Sequence, residues 1–319
     1  MKKVLIYMSL AALALGSLTS CYEDFIKDYS APNMGFALPA QLRTVIESKN
    51  SIYVGVSIGG KREVDLNDWA TFEIDGSLLD GTGKILMPSS YYTLSDPNTF
   101  RVRRTGMAVA DVEVKFSDEF YADPKALNGD YALPFRITGV SIPAVADSTG
   151  YVNPAGAIRP GAETAIVAVK YINEYSGVYY KFGSVTELDS SGNPVGGPVV
   201  YGDSVDLINC QTVTLNTSGR YQLTRSGLAN SSSGSMIMDI ASPDSDTSPL
   251  TLTGGSGIKF SNVKATLRRS GKYTFYGGTD PCPQIDLEYT YTSLGKTLRV
   301  NEVLVLRQWA ESALRIETF

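Results

Sequence analysis

The chain contains no histidine. Histidine supplies the general base most often used near neutral pH and the commonest transition-metal ligand, so its absence removes several mechanisms together. Ser-His-Asp hydrolysis, Cys-His nucleophilic catalysis and His-ligated zinc are all excluded. Cysteine is nearly as scarce, with Cys21, Cys210 and Cys282 the three present. Charge is sparse as well: Asp, Glu, Lys and Arg make up 19% of the residues, against roughly 25% in an average domain. No stretch after the amino terminus approaches the roughly 18 consecutive apolar residues of a membrane-crossing helix. The nearest things to a basic patch are Arg101, Arg103 and Arg104, then Arg268 and Arg269. These are too few and too dispersed to neutralise a run of phosphates, and they read as solvated strand faces, so nucleic acid is not an expected partner.

What is present is apolar residues at 43%, 30 glycines and 19 tyrosines over 319 residues. This is the composition of a globular chain rich in strands and tight turns, long enough for two domains. At the amino terminus Lys2 and Lys3 precede an apolar run, Val4 to Leu18, of signal-peptide length. The run leads into Leu18-Thr19-Ser20-Cys21, which resembles the lipobox of bacterial lipoproteins. That resemblance implies cleavage before Cys21, acylation of its thiol and attachment to a membrane by lipid rather than by a spanning helix. Loss of Lys2 and Lys3 takes the net charge from −5 to −7. The following Glu23, Asp24 and Asp28 resemble the acidic export tract of Bacteroidetes-type lipoproteins, which implies an outer-membrane location facing the exterior; an ordinary solvated tether has the same composition. Cys210 and Cys282 remain as a possible disulfide, since export implies an oxidising compartment, but spacing cannot bring their Cα atoms together.

Alternation with period two dominates beyond the tether. Ile52, Val54, Val56 and Ile58 point one way, as do Val112, Val114 and Phe116, then Leu133, Phe135 and Ile137. Pro134 cannot donate to a ladder, which puts its strand at an edge or at a bulge. Asp123-Pro124-Lys125-Ala126-Leu127 predicts one helical turn capped by Asp123. A loop-rich stretch over 139–165 is followed by a strand at Ile166 to Tyr171, and Asn173 to Gly177 breaks the pattern at a domain boundary. Further strands are expected at 178–182, 199–201, 211–215, 236–240, 273–276, 285–291 and 297–307, with a hairpin turn at Asp189 to Asn193. Asn230 to Gly234 and Gly254 to Gly257 read as turns without the Lys of a phosphate-binding loop.

Met87-Pro88-Ser89-Ser90-Tyr91-Tyr92-Thr93-Leu94, Val112 to Phe116 and Tyr131 to Thr138 resemble the amino-terminal domain of unknown function common in Bacteroidetes surface lipoproteins. Tyr175 to Tyr180 and the closing Leu304-Val305-Leu306-Arg307 are similar to the carboxy-terminal domain that accompanies it. The resemblance implies an all-β chain: a signal peptide at 1–20, a lipidated tether at 21–34, an immunoglobulin-like β-sandwich at 35–173, and a second antiparallel sandwich or barrel-like domain at 174–319 that carries the ligand. It also implies a cell-surface, non-catalytic glycan-binding protein that works beside an outer-membrane polysaccharide importer of the starch-utilisation type, with no cofactor. A structural adhesin or pilus-associated assembly lipoprotein is the alternative.

Sugar rings stack their C–H faces on Trp and Tyr, which makes aromatic residues the candidates for a platform. Trp309 follows the last strong strand near Arg307 and Gln308, and either exposes its ring or packs beneath that strand, the commoner arrangement. Trp69 precedes a strand and is expected to be packed. Tyr179, Tyr180, Tyr273 and Tyr276 are either solvent-facing rings or cross-strand packing. A glycosidase would need two carboxylates roughly 5 to 10 Å apart across a cleft, and Asp239, Asp286 and Glu288 read instead as surface charge on strand faces. The Asp189 turn lacks the ligand series of a calcium loop.

Overall fold

The computed structural model describes residues 32–61, 63–104, 106–255, 257–275, 278–310 and 315–319. The signal segment, Cys21 and the acidic tract lie outside them, as does Tyr276.

Ten strands form the first sheet: β1 (Asn33–Gly35), β2 (Ala40–Ile46), β3 (Ser51–Gly59), β4 (Trp69–Ile74), β5 (Ile85–Leu86), β6 (Tyr92–Leu94), β7 (Thr99–Val102), β8 (Val109–Phe116), β9 (Tyr131–Val140) and β10 (Thr164–Ile172). Their order is β1-β3-β8-β7-β4-β9-β10-β2, with β5 beside β9 and β6 beside β8. The short β7 joins the halves: Arg101 pairs with Trp69 of β4 and with Asp111 of β8. Val54, Val56, Val112 and Val114 from one half share a single core with Phe72, Phe135, Val167 and Val169 from the other, so the two halves face one another as a sandwich. Phe100 seats this core, with ring centroids 4.4 Å from Phe72 and 5.8 Å from Phe36.

Two short helices, α1 (Asp118–Ala122) and α2 (Pro124–Asn128), separate β8 from β9. The second is the turn expected from Asp123, whose side chain accepts from the Lys125 N–H, with Gly129 left-handed at the far end. Asp123 also accepts hydrogen bonds from the hydroxyls of Tyr131 at 2.6 Å and Tyr91 at 2.9 Å. These donors hold its carboxyl below the usual range, Tyr131 contributing most.

Pro134 does not lie on an edge strand, because β9 sits between β4 and β10. Its carbonyl accepts from the Asp75 N–H, so its ring nitrogen faces the same side, where the neighbour changes from β4 to β5. A missing N–H is tolerated there because no ladder partner stands opposite it.

The second sheet is a closed barrel. Its strands are β11 (Gly177–Leu188), β12 (Val199–Tyr201), β13 (Gln211–Gly219), β14 (Gln222–Leu228), β15 (Ser231–Ile240), β16 (Thr247–Gly254), β17 (Phe260–Arg268), β18 (Gln284–Ser293) and β19 (Lys296–Trp309). Eight of them, β11 and β13 to β19, pair in a ring that closes where β11 meets β19, and β12 adds to the side of β11. The seam runs from Gly177 opposite Trp309 to Leu188 opposite Thr297. Of the two architectures open for this half, the barrel is the one formed. Ile285, Leu287, Tyr289 and Tyr291 of β18 point inward as their alternation requires. Residues 273–275 of the expected strand do not form one: Thr274 makes only an isolated bridge to Pro281, in a segment that lies over the outside of the barrel. Ser231 to Gly234 belong to β15 rather than to a turn.

Candidate functional site

The barrel meets the sandwich at a junction crossed by several polar contacts. Arg220, in the turn between β13 and β14, pairs with Asp118 at 2.6 Å and lies over the rings of Tyr121 and Tyr221, at 4.5 and 5.0 Å. Asn173 donates from its side chain to the Arg220 carbonyl and from its backbone to the Thr217 hydroxyl. Lys170 of β10 reaches Glu317 near the carboxy terminus, and Arg269 pairs with Glu174. Beneath these lies Glu47, buried beside Glu174, whose carboxyl is pushed up to about 7. Burial is the larger cause and Glu174 the next, while a backbone N–H of Glu174 and the charges of Arg220 and Arg269 pull the other way.

Trp309 stands at this junction as a residue 42% exposed. It lines two adjoining clefts that also share Ile172, Ser176 and Ala310: one of about 560 Å³ that includes Asn128, Lys170, Thr214 and Asn216, and one of about 280 Å³ that includes Ser48, Lys49 and Glu174. A bulge at the barrel seam puts the ring there. Tyr179 is opposite Leu306 and Val178 opposite Gln308, so Arg307 has no partner of its own. Odd-numbered residues of β19 such as Val303 and Val305 face outward, yet beyond the bulge Trp309 pairs with Gly177, on the same side of β11 as inward-facing Tyr179. Trp309 is thereby turned toward the junction, with its ring 6.5 Å from that of Phe275. A Cβ on Gly177 would collide with the Gln308 carbonyl oxygen, so glycine is what allows the strands to approach here.

The other aromatic candidates are elsewhere. Tyr179 is wholly buried in the barrel core, its hydroxyl donating to the Tyr175 carbonyl at 2.7 Å, and it presents nothing to a ligand. Tyr180 and Tyr273 are half-buried on the outer wall, packed with Phe182, Cys210, Cys282 and Val305. Arg307 lies over the Tyr180 ring and Lys272 over that of Tyr273, and Tyr273 meets Phe182 edge-on at 5.7 Å. These contacts occupy the faces that a sugar would need. The possible disulfide is not formed: Cys210 and Cys282 are free thiols buried in this same cluster, and burial raises the Cys282 thiol to about 11. Trp69 is 37% exposed at the start of β4.

The acids weighed for glycosidase chemistry are engaged along strand faces: Asp286 with Arg268, Glu288 with Lys264, and Asp239 with Gln222. Asp189 accepts from the N–H groups of Ser191 and Asn193, the closing bonds of a hairpin turn. Among the described residues no three acidic or cysteine side chains converge as a metal ion's ligands would.

Sequence reading missed the polar group inside the barrel. Arg225 and Glu302 are fully buried and paired at 2.5 Å, Tyr201 donates to Glu302 at 3.0 Å, and Lys181 donates to the Ala229 carbonyl at 2.9 Å. The signal was available: Arg225 shares a strand face with Leu223, and Glu302 one with Val300 and Leu304, so two opposite charges occupy core-facing positions.

A family model described as a "-like, N-terminal domain" matches residues 25–144. No curated protein matches the chain. Among solved structures, a Bacteroides ovatus protein of unknown function is 21% identical, with a TM-score of 0.65, over 86% of this chain and 94% of its own. A multidomain B. ovatus protein that includes DUF1735 is 14% identical with a TM-score of 0.40, over 90% of this chain and 99% of its own. The first likeness shows a shared fold, in which a strand-rich amino-terminal half is followed by the barrel.

Proposed function

We propose that the chain is a non-catalytic, lipid-anchored surface protein that binds glycans beside an outer-membrane polysaccharide importer, and that the ligand lies in the junction clefts against Trp309. The observation that carries this reading is Trp309, a residue 42% exposed that lines both clefts. A half-exposed indole offers a flat apolar face, and Asn128, Asn216, Thr214 and Lys170 supply donors and acceptors of the kind hydroxyls need. The amino terminus supports anchoring through Cys21 and display at the cell exterior. The absence of histidine and the engagement of the strand-face acids support capture rather than chemistry.

Affinity electrophoresis against a panel of polysaccharides, followed by calorimetry on those that retard the protein, tests the reading. Trp309→Ala is expected to weaken binding at least tenfold with the unfolding temperature unchanged. Retardation by none of the panel, or binding indifferent to Trp309→Ala, refutes it. Recovery of the protein as self-associated polymers rather than with importer subunits would point to the adhesin class instead.

A further inference from the structure

A second opening lies in the barrel wall; it shares Thr214 and Asn216 with the larger Trp309 cleft but is floored by Lys181, which lines neither Trp309 cleft. β13 pairs with β11 over Gln211 to Leu215, but with β14 only from Asn216 onward. The first half of β13 therefore splays away from the far half of β14 and the turn into β15, leaving a cleft of about 560 Å³. Thr212, Thr214 and Asn216 line one side of it and Ser226, Asn230 and Ser231 the other. No carboxylate lines it, in a chain with 33 acidic residues against 28 basic ones.

Lys181 also lines this cleft. Its side chain starts on the inward face of β11, is 9% exposed, and spans the gap to donate to the Ala229 carbonyl. An ammonium has three donors, and one carbonyl uses one of them. Among the described residues no carboxylate lies within ion-pair distance of it: the nearby Glu302 is bound by Arg225 through both oxygens and by the Tyr201 hydroxyl. Among the described residues, the barrel interior thus holds two cations, Lys181 and Arg225, near one carboxylate, Glu302. Burial and the charge of Arg225 lower the affinity of Lys181 for its proton, and Glu302 opposes them. A buried cation short of a counter-ion beneath a mouth lined with hydroxyls and amides is complementary to a ligand that brings both a negative charge and hydroxyls.

We infer that this opening binds an acidic saccharide, with the sugar's carboxylate against the Lys181 ammonium and its hydroxyls against the Thr, Ser and Asn side chains. The inference rests on the glycan-binding reading for the class of ligand, but it places charge recognition on Lys181, which lines neither Trp309 cleft. Its test is calorimetry of the full mature chain with tetragalacturonate and with the fully methyl-esterified tetramer, which keeps the sugars and removes the charge.

The acid is expected to bind at least tenfold more tightly than the ester, and to weaken as sodium chloride is raised. Lys181→Gln should abolish the difference, Lys181→Arg should retain it, and Trp309→Ala should leave it intact. Should Lys181→Gln fail to fold, Asn230→Asp, at the exposed rim, is expected to weaken acid binding by a similar factor. Equal binding of acid and ester, acid binding unaffected by both Lys181→Gln and Asn230→Asp, or inorganic sulfate binding as tightly as the tetramer would each overturn the inference. If neutral glycans still bind in a Trp309-dependent way, the broader reading survives that result; if no saccharide binds at all, both fail.

Discussion

Arg225 and Glu302 face each other inside the barrel with both side chains closed to water, the guanidinium donating to both carboxylate oxygens. Such a pair does little for net stability relative to apolar residues, because each ion has lost its hydration. Removing one member is another matter, since it strands the other charge in the core. Arg225→Met and Glu302→Gln are each expected to destabilise the barrel by about 3 to 5 kcal/mol. The double variant Arg225→Met/Glu302→Met should recover much of that loss. Denaturant titration followed by tyrosine fluorescence checks both, and single variants as stable as the parent would contradict the geometry.

Glu47 gives the junction a pH dependence of definite sign. Its carboxyl titrates at about 7 in the folded chain and near 4.5 when unfolded, so between those values the folded state alone holds the proton. Stability is therefore expected to rise as pH falls from 8 to 5, by at most about 1.4 kcal/mol per unit crossed, with the gain complete once pH is below 4.5. Glu47→Gln should flatten the profile over this range. Carboxyls held low by hydrogen bonds, such as Asp75 and Asp123, act in the opposite direction and only at lower pH. Thermal melts at half-unit intervals would show the trend, and a Glu47→Gln curve parallel to the parent's would refute it.

Adjacent tyrosines in β11 should behave differently. Tyr179→Ala empties a core position and is expected to cost about 3 to 5 kcal/mol. Tyr180→Ala, on the outer wall, should cost roughly 1 kcal/mol. Neither should alter glycan affinity in protein that remains folded, and a ligand-binding defect in folded Tyr180→Ala would bring the outer wall back as a site.

The two buried cysteines of the outer-wall cluster make a simple chemical prediction. Cys210 and Cys282 are 8% and 2% exposed, and the Cys210 sulfur exchanges contacts with the Asp203 backbone. A chain beginning at Tyr22 should release no chromophore from a disulfide reagent while native, and two equivalents in denaturant. Rapid reaction of the native chain would be incompatible with this packing.

Strand content was legible because burial on one face leaves a local trace: β3, β8 and β18 each show it in consecutive residues. Contacts between distant segments leave none. Closure of the barrel depends on β11 meeting β19 more than a hundred residues later, and the aim of Trp309 depends on a single bulge in that seam, which reverses the side that simple alternation gives it. Pro134 was legible only in part: its strand is no edge but does carry a bulge, at Thr138, while the missing donor itself is accommodated where the sheet changes neighbour. Tyr179 and Tyr180 could not be assigned to inside and outside until the strand's orientation was known. Lys181 attracted no notice because the splay between β13 and β14 that uncovers it is a property of two strands together.

Barrel closure has a counterpart in the sandwich. Met34 of β1 bridges to Ile158, and Leu42 of β2 bridges to Glu317, so a loop and the tail each cover one point on the outer borders of the first sheet. Exposed rows of backbone donors and acceptors are what let one polypeptide stitch onto the next. At those two points copies of this chain cannot add strands to one another through their main chains, and contact with other molecules there is left to side chains.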